Sequence, residues 1–250
     1  MSKRQRTWLT LLTGLCLAVG AAPAAGAMHI MEGYLPPAVC AVWGVICLPF
    51  LVLGVGRIRA KVGEQNQNLL LLALCGAFVF VISSLKIPSV TGSCSHMTGT
   101  GLSAILFGPA VTSVLGLIVL VFQAILLAHG GLTTLGANCF SMAIAGPLVS
   151  YGLYRGLQAA RVNRRVSVFL AAFLGDLFTY CVTSVQLAIT YPAAEGGAAA
   201  SLVKFLGVFA PTQLPLAVVE GILTVVIVIG LETYAARELR AIGYLGGNET

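Results

Sequence analysis

Charge is scarce in this chain. Charged residues make up 9% of the 250 residues, against 58% hydrophobic. Average soluble proteins carry roughly 25% charged residues. One aqueous core of this length cannot hide so many apolar side chains, so the composition indicates a polytopic membrane protein. Histidine is rarer still: the chain holds 3, namely His29, His96 and His129. There is no HExxH pair, no Walker A phosphate loop and no CxxC pair. Those absences argue against a zincin-type centre, ATP hydrolysis by this chain and a disulfide or thiolate framework. Cys16, Cys40, Cys47, Cys75, Cys94, Cys139 and Cys181 are scattered through apolar runs and read as small packing residues. The formal charge is +6, but Lys3, Arg4 and Arg6 lie in the first few residues. The other basic residues cluster beside apolar runs, so nucleic acid is not an expected partner.

The first 27 residues have the three parts of a secretory leader. MSKRQRT is basic, Trp8–Val19 is a short apolar stretch, and Ala25-Gly26-Ala27 fits an A-x-A cleavage site. The expected organisation is a cleaved signal peptide, 1–27, and a single transmembrane substrate-binding domain, 28–250. Cleavage would leave Met28 as a free α-amine on the non-cytoplasmic side, with His29 beside it.

Seven apolar runs follow, at about Ala38–Val55, Leu69–Leu85, Leu102–Phe107, Val111–Ala128, Ala137–Tyr154, Val166–Ile189 and Leu214–Leu231. Gly108-Pro109 separates the short third run from the fourth. Segments 57–61, 155–165 and 237–240 hold all the basic residues of the mature chain except Lys86 and Lys204. The positive-inside rule places those segments in the cytoplasm. The expected fold is therefore an all-α bundle of about seven transmembrane helices, mature N-terminus outside and C-terminus inside. His29, His96 and His129 all fall near the outer face. No internal repeat of broken helices is evident.

A second-position histidine beside a free amine is a chelator. The amine titrates near 7.7–8.0, and the next backbone nitrogen and the ring Nδ1 can close two fused rings on one ion. A nitrogen from His96 would complete a planar set suited to a late divalent metal such as Ni(II). Residue chemistry does not choose between cobalt and nickel. The plainer reading leaves His29 next to a cleavage site and His96 capping a loop. Cys94, Met31 and Met97 are weaker ligand candidates, and His129 reads as a structural or supporting residue rather than a ligand.

Two stretches, MHIMEGYLPP and LKIPSVTGSCSHMTGTGLSAILFGP, resemble the substrate-capture subunit of energy-coupling factor (ECF) cobalt transporters, the CbiM family. FQAILLAHGGLTTLGAN, DLFTYCVTSVQLA and VKFLGVFAPTQLPLAVVEGILT are similar to it as well. The resemblance covers nearly all of residues 28–250. It implies a multi-pass subunit of the bacterial inner membrane that binds Co2+ outside for uptake and cobalamin synthesis. It also implies a transmembrane coupling subunit of CbiQ type, ATP-binding subunits of CbiO type and a small accessory membrane subunit of CbiN type. The metal-holding residues carried over are Met28, His29 and His96. No catalytic cofactor is implied, because Co2+ (or Ni2+) is the cargo. One departure is visible: Met97 stands where the family usually has proline, which loosens the loop.

Ionisable groups inside a membrane are costly and usually face the bundle interior. Asp176 and Glu220 fall within the sixth and seventh runs, where they serve either as supports of the metal ligands or as interhelical glue. Gln123 and Asn138 invite the same two readings. Glu32 either assists metal capture or is solvated. Gly152 and Gly156, or Ala41 and Gly44, would permit close packing, inside the chain or against a partner. The rival functions are a nickel subunit of the same family and a self-contained channel or carrier using Asp176 and Glu220.

Overall fold

The computed structural model describes residues 29–62, 66–85, 87–88 and 94–245. The leader, Met28 and the cleavage site lie outside these residues, as does the side chain of Cys94.

Helix follows wherever the apolar runs permit it. The order is α1 (Pro37–Val62), α2 (Asn66–Ser84), a two-residue antiparallel pair β1 (Ile87–Pro88) and β2 (Cys94–Ser95), then α3 (Thr100–Phe107) and α4 (Pro109–Leu127). Next come α5 (Leu135–Asn138), a π-helical turn Cys139–Ala145, α6 (Gly146–Ala159), α7 (Arg164–Thr190), α8 (Gly197–Tyr234) and α9 (Ala236–Ala241). Among the described residues, 4 helices are long and apolar enough to cross a membrane: Pro37–Ala60, Pro109–Leu127, Arg164–Thr190 and Gly197–Tyr234. Asn68–Ser84 is a shorter apolar helix.

Three of the seven runs differ from plain spans. The third run is α3, whose 8 residues are all buried. At about 1.5 Å per residue it is far shorter than a bilayer core of about 30 Å. It sits within protein instead, where short helices and irregular backbone are tolerated. Gly108, at φ 88, ends it, and Pro109 opens α4 at the first helical turn. The fifth run is interrupted by the π turn, and the seventh is only the second half of the 38-residue α8.

The core forms around α3. Leu102, Ile105, Leu106 and Phe107 pack with Leu71 and Cys75 of α2, Val111 and Leu115 of α4, Val168 and Ala171 of α7, and Val228 of α8. Close approach needs glycine here, because a Cβ on Gly101 would lie 3.0 Å from the Ala172 Cα. By contrast only 11% of the α1 span is buried. Val42, Val45, Leu48, Val52 and Leu53 are exposed along it, which suits a helix solvated by lipid.

Small residues divide in the same way. A Cβ on Gly136 would meet the Gly44 backbone nitrogen at 2.5 Å, so Gly44 is used for packing within the chain. Gly152 and Gly156 face open space.

Candidate metal centre

Three segments meet at one end of the bundle. They are the residues before α1, the loop between β2 and α3, and the turn after α4. Each brings one histidine, and all three histidines are buried.

The residues before α1 are stitched to the α4–α5 connection. The Ile30 N–H donates to Asn138 Oδ1 at 2.8 Å, and Asn138 Nδ2 returns a bond to the Ile30 carbonyl at 2.9 Å. The Thr134 hydroxyl donates to that same carbonyl at 2.6 Å. Gly33 N–H donates to Thr133 Oγ1 at 3.1 Å, and Thr133 N–H donates to Glu32 Oε2 at 3.2 Å. Glu32 is therefore tied back to Thr133, whose hydrogen bonds, side chain first, hold its carboxyl below the usual carboxylate range. Two glycines make the approach possible. A Cβ on Gly131 would lie 2.5 Å from the Glu32 Cα, and Gly130, at φ +75, sits against the His29 ring.

The His96 loop is held from the opposite side. Thr98 N–H donates to Glu220 Oε2 at 2.6 Å and faces Asp176 Oδ1 at 3.2 Å, while its hydroxyl donates to Glu220 Oε1 at 2.9 Å. Gln213 Nε2 donates to Asp176 Oδ2 at 2.5 Å and to the His96 carbonyl at 3.2 Å. The loop leaves through Gly99 at φ +69, where a Cβ would meet the Val79 Cα at 3.1 Å. Thus Asp176, Gln213 and Glu220 join α7 to α8 and also fix the backbone on either side of the loop. Gln123 has a plainer role and donates to Ser83 Oγ at 2.6 Å. Gln186 of α7 pins α5 through the Ala137 carbonyl at 3.1 Å.

His96 Nδ1 lies 2.8 Å from the Met97 carbonyl oxygen. A carbonyl can only accept, so Nδ1 carries the proton and the neutral ring turns the Nε2 lone pair outward. That lone pair is 2.9 Å from His29 Nδ1. With metal–nitrogen bonds of 2.0–2.1 Å, adjacent donors on a square lie about 3 Å apart. His29 Nδ1 and His96 Nε2 thus already stand at the spacing of two neighbouring ligands.

His129 completes the group. One nitrogen from each of the three rings falls within 4.8 Å of the others. Sequence reasoning set His129 apart as a support, yet its ring packs directly on both candidates, at 4.7 Å between centroids from each. Gln213, Thr98 and Thr134 were not singled out at all. Their signal was their polarity within or beside apolar runs.

The fold defines a helical membrane protein, and its buried nitrogen cluster is a group of three imidazoles that could hold a metal ion. Comparisons with known proteins agree. A family model, CbiM, "Cobalt uptake substrate-specific transmembrane region", matches residues 29–238. The cobalt transport protein CbiM of Lachnoclostridium phytofermentans is 63% identical over 247 residues, covering 99% of each chain. That of a Nostoc species is 54% identical over 247 residues, covering 98% of this chain and 94% of its own. A truncated transition metal transporter known from a crystal structure superposes with a TM-score of 0.73 at 28% identity, covering 82% of this chain and 99% of that one. The chain belongs to the CbiM family, the substrate-specific transmembrane region of cobalt uptake.

Proposed function

We propose that this chain is the capture subunit of an ECF-type, ATP-driven Co2+ importer, supplying cobalt for cobalamin synthesis. The observation that carries the reading is the 2.9 Å approach of His29 Nδ1 to His96 Nε2 inside a buried cluster tethered by hydrogen bonds. Cleavage after Ala27 would place the Met28 amine one residue away. The amine, the His29 backbone nitrogen, the His29 ring and the His96 ring then form a four-nitrogen plane. An ion bound there would displace the proton the two rings share, and use of the His29 backbone nitrogen would release its amide proton to solvent as well.

The crossing count belongs to the same reading: seven crossings, with the histidine end outside the inner membrane and the C-terminus inside. The distribution of basic residues supports that orientation. Arg57 lines a cavity with Pro109 and Val111 at the start of α4, whereas His129 follows its end. The 19 residues between span about 28 Å, close to a bilayer core. Arg155 and Arg164 line another cavity beside Phe107 and Gly108, on the Arg57 side. With no Walker A pattern in the chain, energy comes from partners of the CbiQ, CbiO and CbiN types. A nickel subunit is the second reading, because the four-nitrogen plane suits Ni(II) too.

Native intact-mass spectrometry of the membrane-purified protein tests the proposal. The expected mass is Met28–Thr250 plus one cobalt. Nickel in its place would select the second reading. An uncut chain, or a processed chain that takes up neither ion, would overturn both.

A further inference from the structure

Two cavities adjoin at the end of the bundle away from the histidines, and they share Phe107, Gly108 and Tyr151. The larger, of about 550 Å³, is also lined by Arg155, Gln158, Arg164 and Tyr244. The smaller, of about 260 Å³, is lined by Arg57 and by the first residues of α4. The larger has the size of a site for a small organic ligand, about 300–1,000 Å³. Among the described residues no Asp or Glu lines either cavity. Arg164 Nη1 donates to Glu232 Oε1 at 3.3 Å, but Glu232 lines a different cavity. A guanidinium carries five N–H donors, so most of those on Arg164 are left for another acceptor. Arg57 and Arg155 enter no ion pair among the described residues. Three arginines therefore line a space with no negative charge of its own.

Backbone and rings give that space its shape. Gly108 begins α4 without a side chain to cap it, and Ala110 and Val111 of the first turn line the smaller cavity. That end of a helix carries partial positive charge and favours anions. On the other side, the Tyr154 and Tyr244 rings stack at 6.0 Å with 15° between their planes, and Arg164 lies over the Tyr244 ring at 5.4 Å. The Tyr244 N–H donates to the Leu239 carbonyl at 2.9 Å, which holds this wall in place. The floor is apolar and buried, formed by Ile105, Leu106 and Phe107. Arg57, Arg155 and Arg164 are exposed and form the mouth.

We propose that the paired cavities bind the phosphate group of an anionic phospholipid from the leaflet at the arginine end of the bundle. Arginine suits phosphate because its planar donors meet two oxygens at once. Basic pockets between membrane helices take anionic headgroups in this way. The apolar floor selects among the bearers of phosphate. Inorganic phosphate would fill the charged mouth and leave the floor unused. Phosphatidylcholine would reach the floor but bring its own cation to the arginines. An anionic phospholipid satisfies both halves. The proposal uses no histidine and does not rest on the capture reading; it needs only that the helices span a bilayer.

The test is native mass spectrometry of the full chain, purified in detergent without added metal and offered phosphatidylglycerol, phosphatidylcholine or inorganic phosphate. Wild type is compared with Arg57→Gln, Arg155→Gln, Arg155→Lys and Arg237→Gln, since Arg237 lines neither cavity. Wild type is expected to retain phosphatidylglycerol over phosphatidylcholine. Arg57→Gln and Arg155→Gln should each weaken that retention by roughly fivefold, while Arg155→Lys and Arg237→Gln keep most of it. Inorganic phosphate that binds alone and displaces the lipid would reassign the site to a free anion and overturn the lipid assignment. A loss in Arg237→Gln as large as in Arg155→Gln would reduce the effect to general attraction between a basic surface and an acidic lipid, which also overturns it. So would equal retention by every protein. Wild type that takes up no lipid, with Arg155→Gln losing a copurifying membrane protein instead, would make the cavity a protein interface. If the glutamine variants do not fold, the wild-type preference and its competition by inorganic phosphate decide.

Discussion

The two ends of α4 solve opposite problems. At its C-terminal end, buried polar groups are held in place by other polar groups. Ile30, Asn138, Thr134, Thr98, Glu220, Asp176 and Gln213 share hydrogen bonds over sequence separations of 37 to 122 residues. At its N-terminal end lies a cavity of about 550 Å³ lined by Arg155, Arg164, Tyr151, Gln158 and Tyr244. Arg155 and Arg164 are exposed there. Arg164 sits over the Tyr244 ring at 5.4 Å and pairs with Glu232 at 3.3 Å, with side chains 41% and 27% exposed. A buried polar group without a partner costs about 1–3 kcal/mol, so the first end is specified tightly. Exposed ion pairs contribute about 0–1 kcal/mol, so the second is specified loosely.

The sharpest way to break the comparison is to remove one donor from each end. His96→Ala should lower cobalt affinity by more than the about 10–100-fold that loss of a group supporting a ligand costs. Arg155→Ala should leave affinity unchanged. Equilibrium dialysis of the two purified variants decides; equal losses would mean that the ends do not divide binding from support.

Glycine gives the next contrast. Gly131→Ala drives a Cβ into the Glu32 backbone, while Gly152→Ala meets nothing within 4 Å. Overpacking of this kind costs about 1–3 kcal/mol. Thermal unfolding in detergent should show a lowered midpoint for the first and none for the second.

The support of the His96 loop should yield a smaller effect on binding. Glu220→Leu leaves Thr98 N–H with only the longer Asp176 contact, and metal affinity should fall about 10–100-fold. Glu220→Gln keeps an acceptor oxygen and should retain most of the affinity. If both variants bind like wild type, the carboxylate serves only to join helices.

The smallest effect is expected at Glu32. Its carboxyl is lowered from an ordinary value of 4.5 by Thr133. A lowered folded-state pKa stabilises the protein fully above the ordinary value, and the contribution is lost as pH falls through the lowered one. Acid unfolding of Glu32→Gln should therefore converge on wild type below that range and fall short of it at neutral pH.

Much of the fold was legible because lipid imposes a simple rule: backbone must satisfy itself, so long apolar runs become helices. α1, α4 and α7 lie close to the runs that announced them. The rule does not say what surrounds a helix or where it begins: α3 is a helix enclosed by protein rather than lipid, and α8 starts well before its apolar run and continues through Pro211 and Pro215. His29 and His96 could be named as candidates because the chain holds only 3 histidines, but that their rings meet at 2.9 Å was not visible along the chain. Glu220 and Asp176 were visible as costly residues, but their target was not, because Thr98 lies 122 and 78 residues away from them.

What the sequence determined by itself is the solvent and the chemical vocabulary: a membrane, helices, three imidazoles and a basic set of loops. These depend on composition and on neighbours along the chain. Tertiary structure alone decided that His129 joins the other two rings, that Glu220 and Gln213 hold the His96 loop, and that Gly131 rather than Gly152 is a close-packed glycine. Each of those is a contact between distant segments, set by the meeting of helix ends and absent from any local pattern.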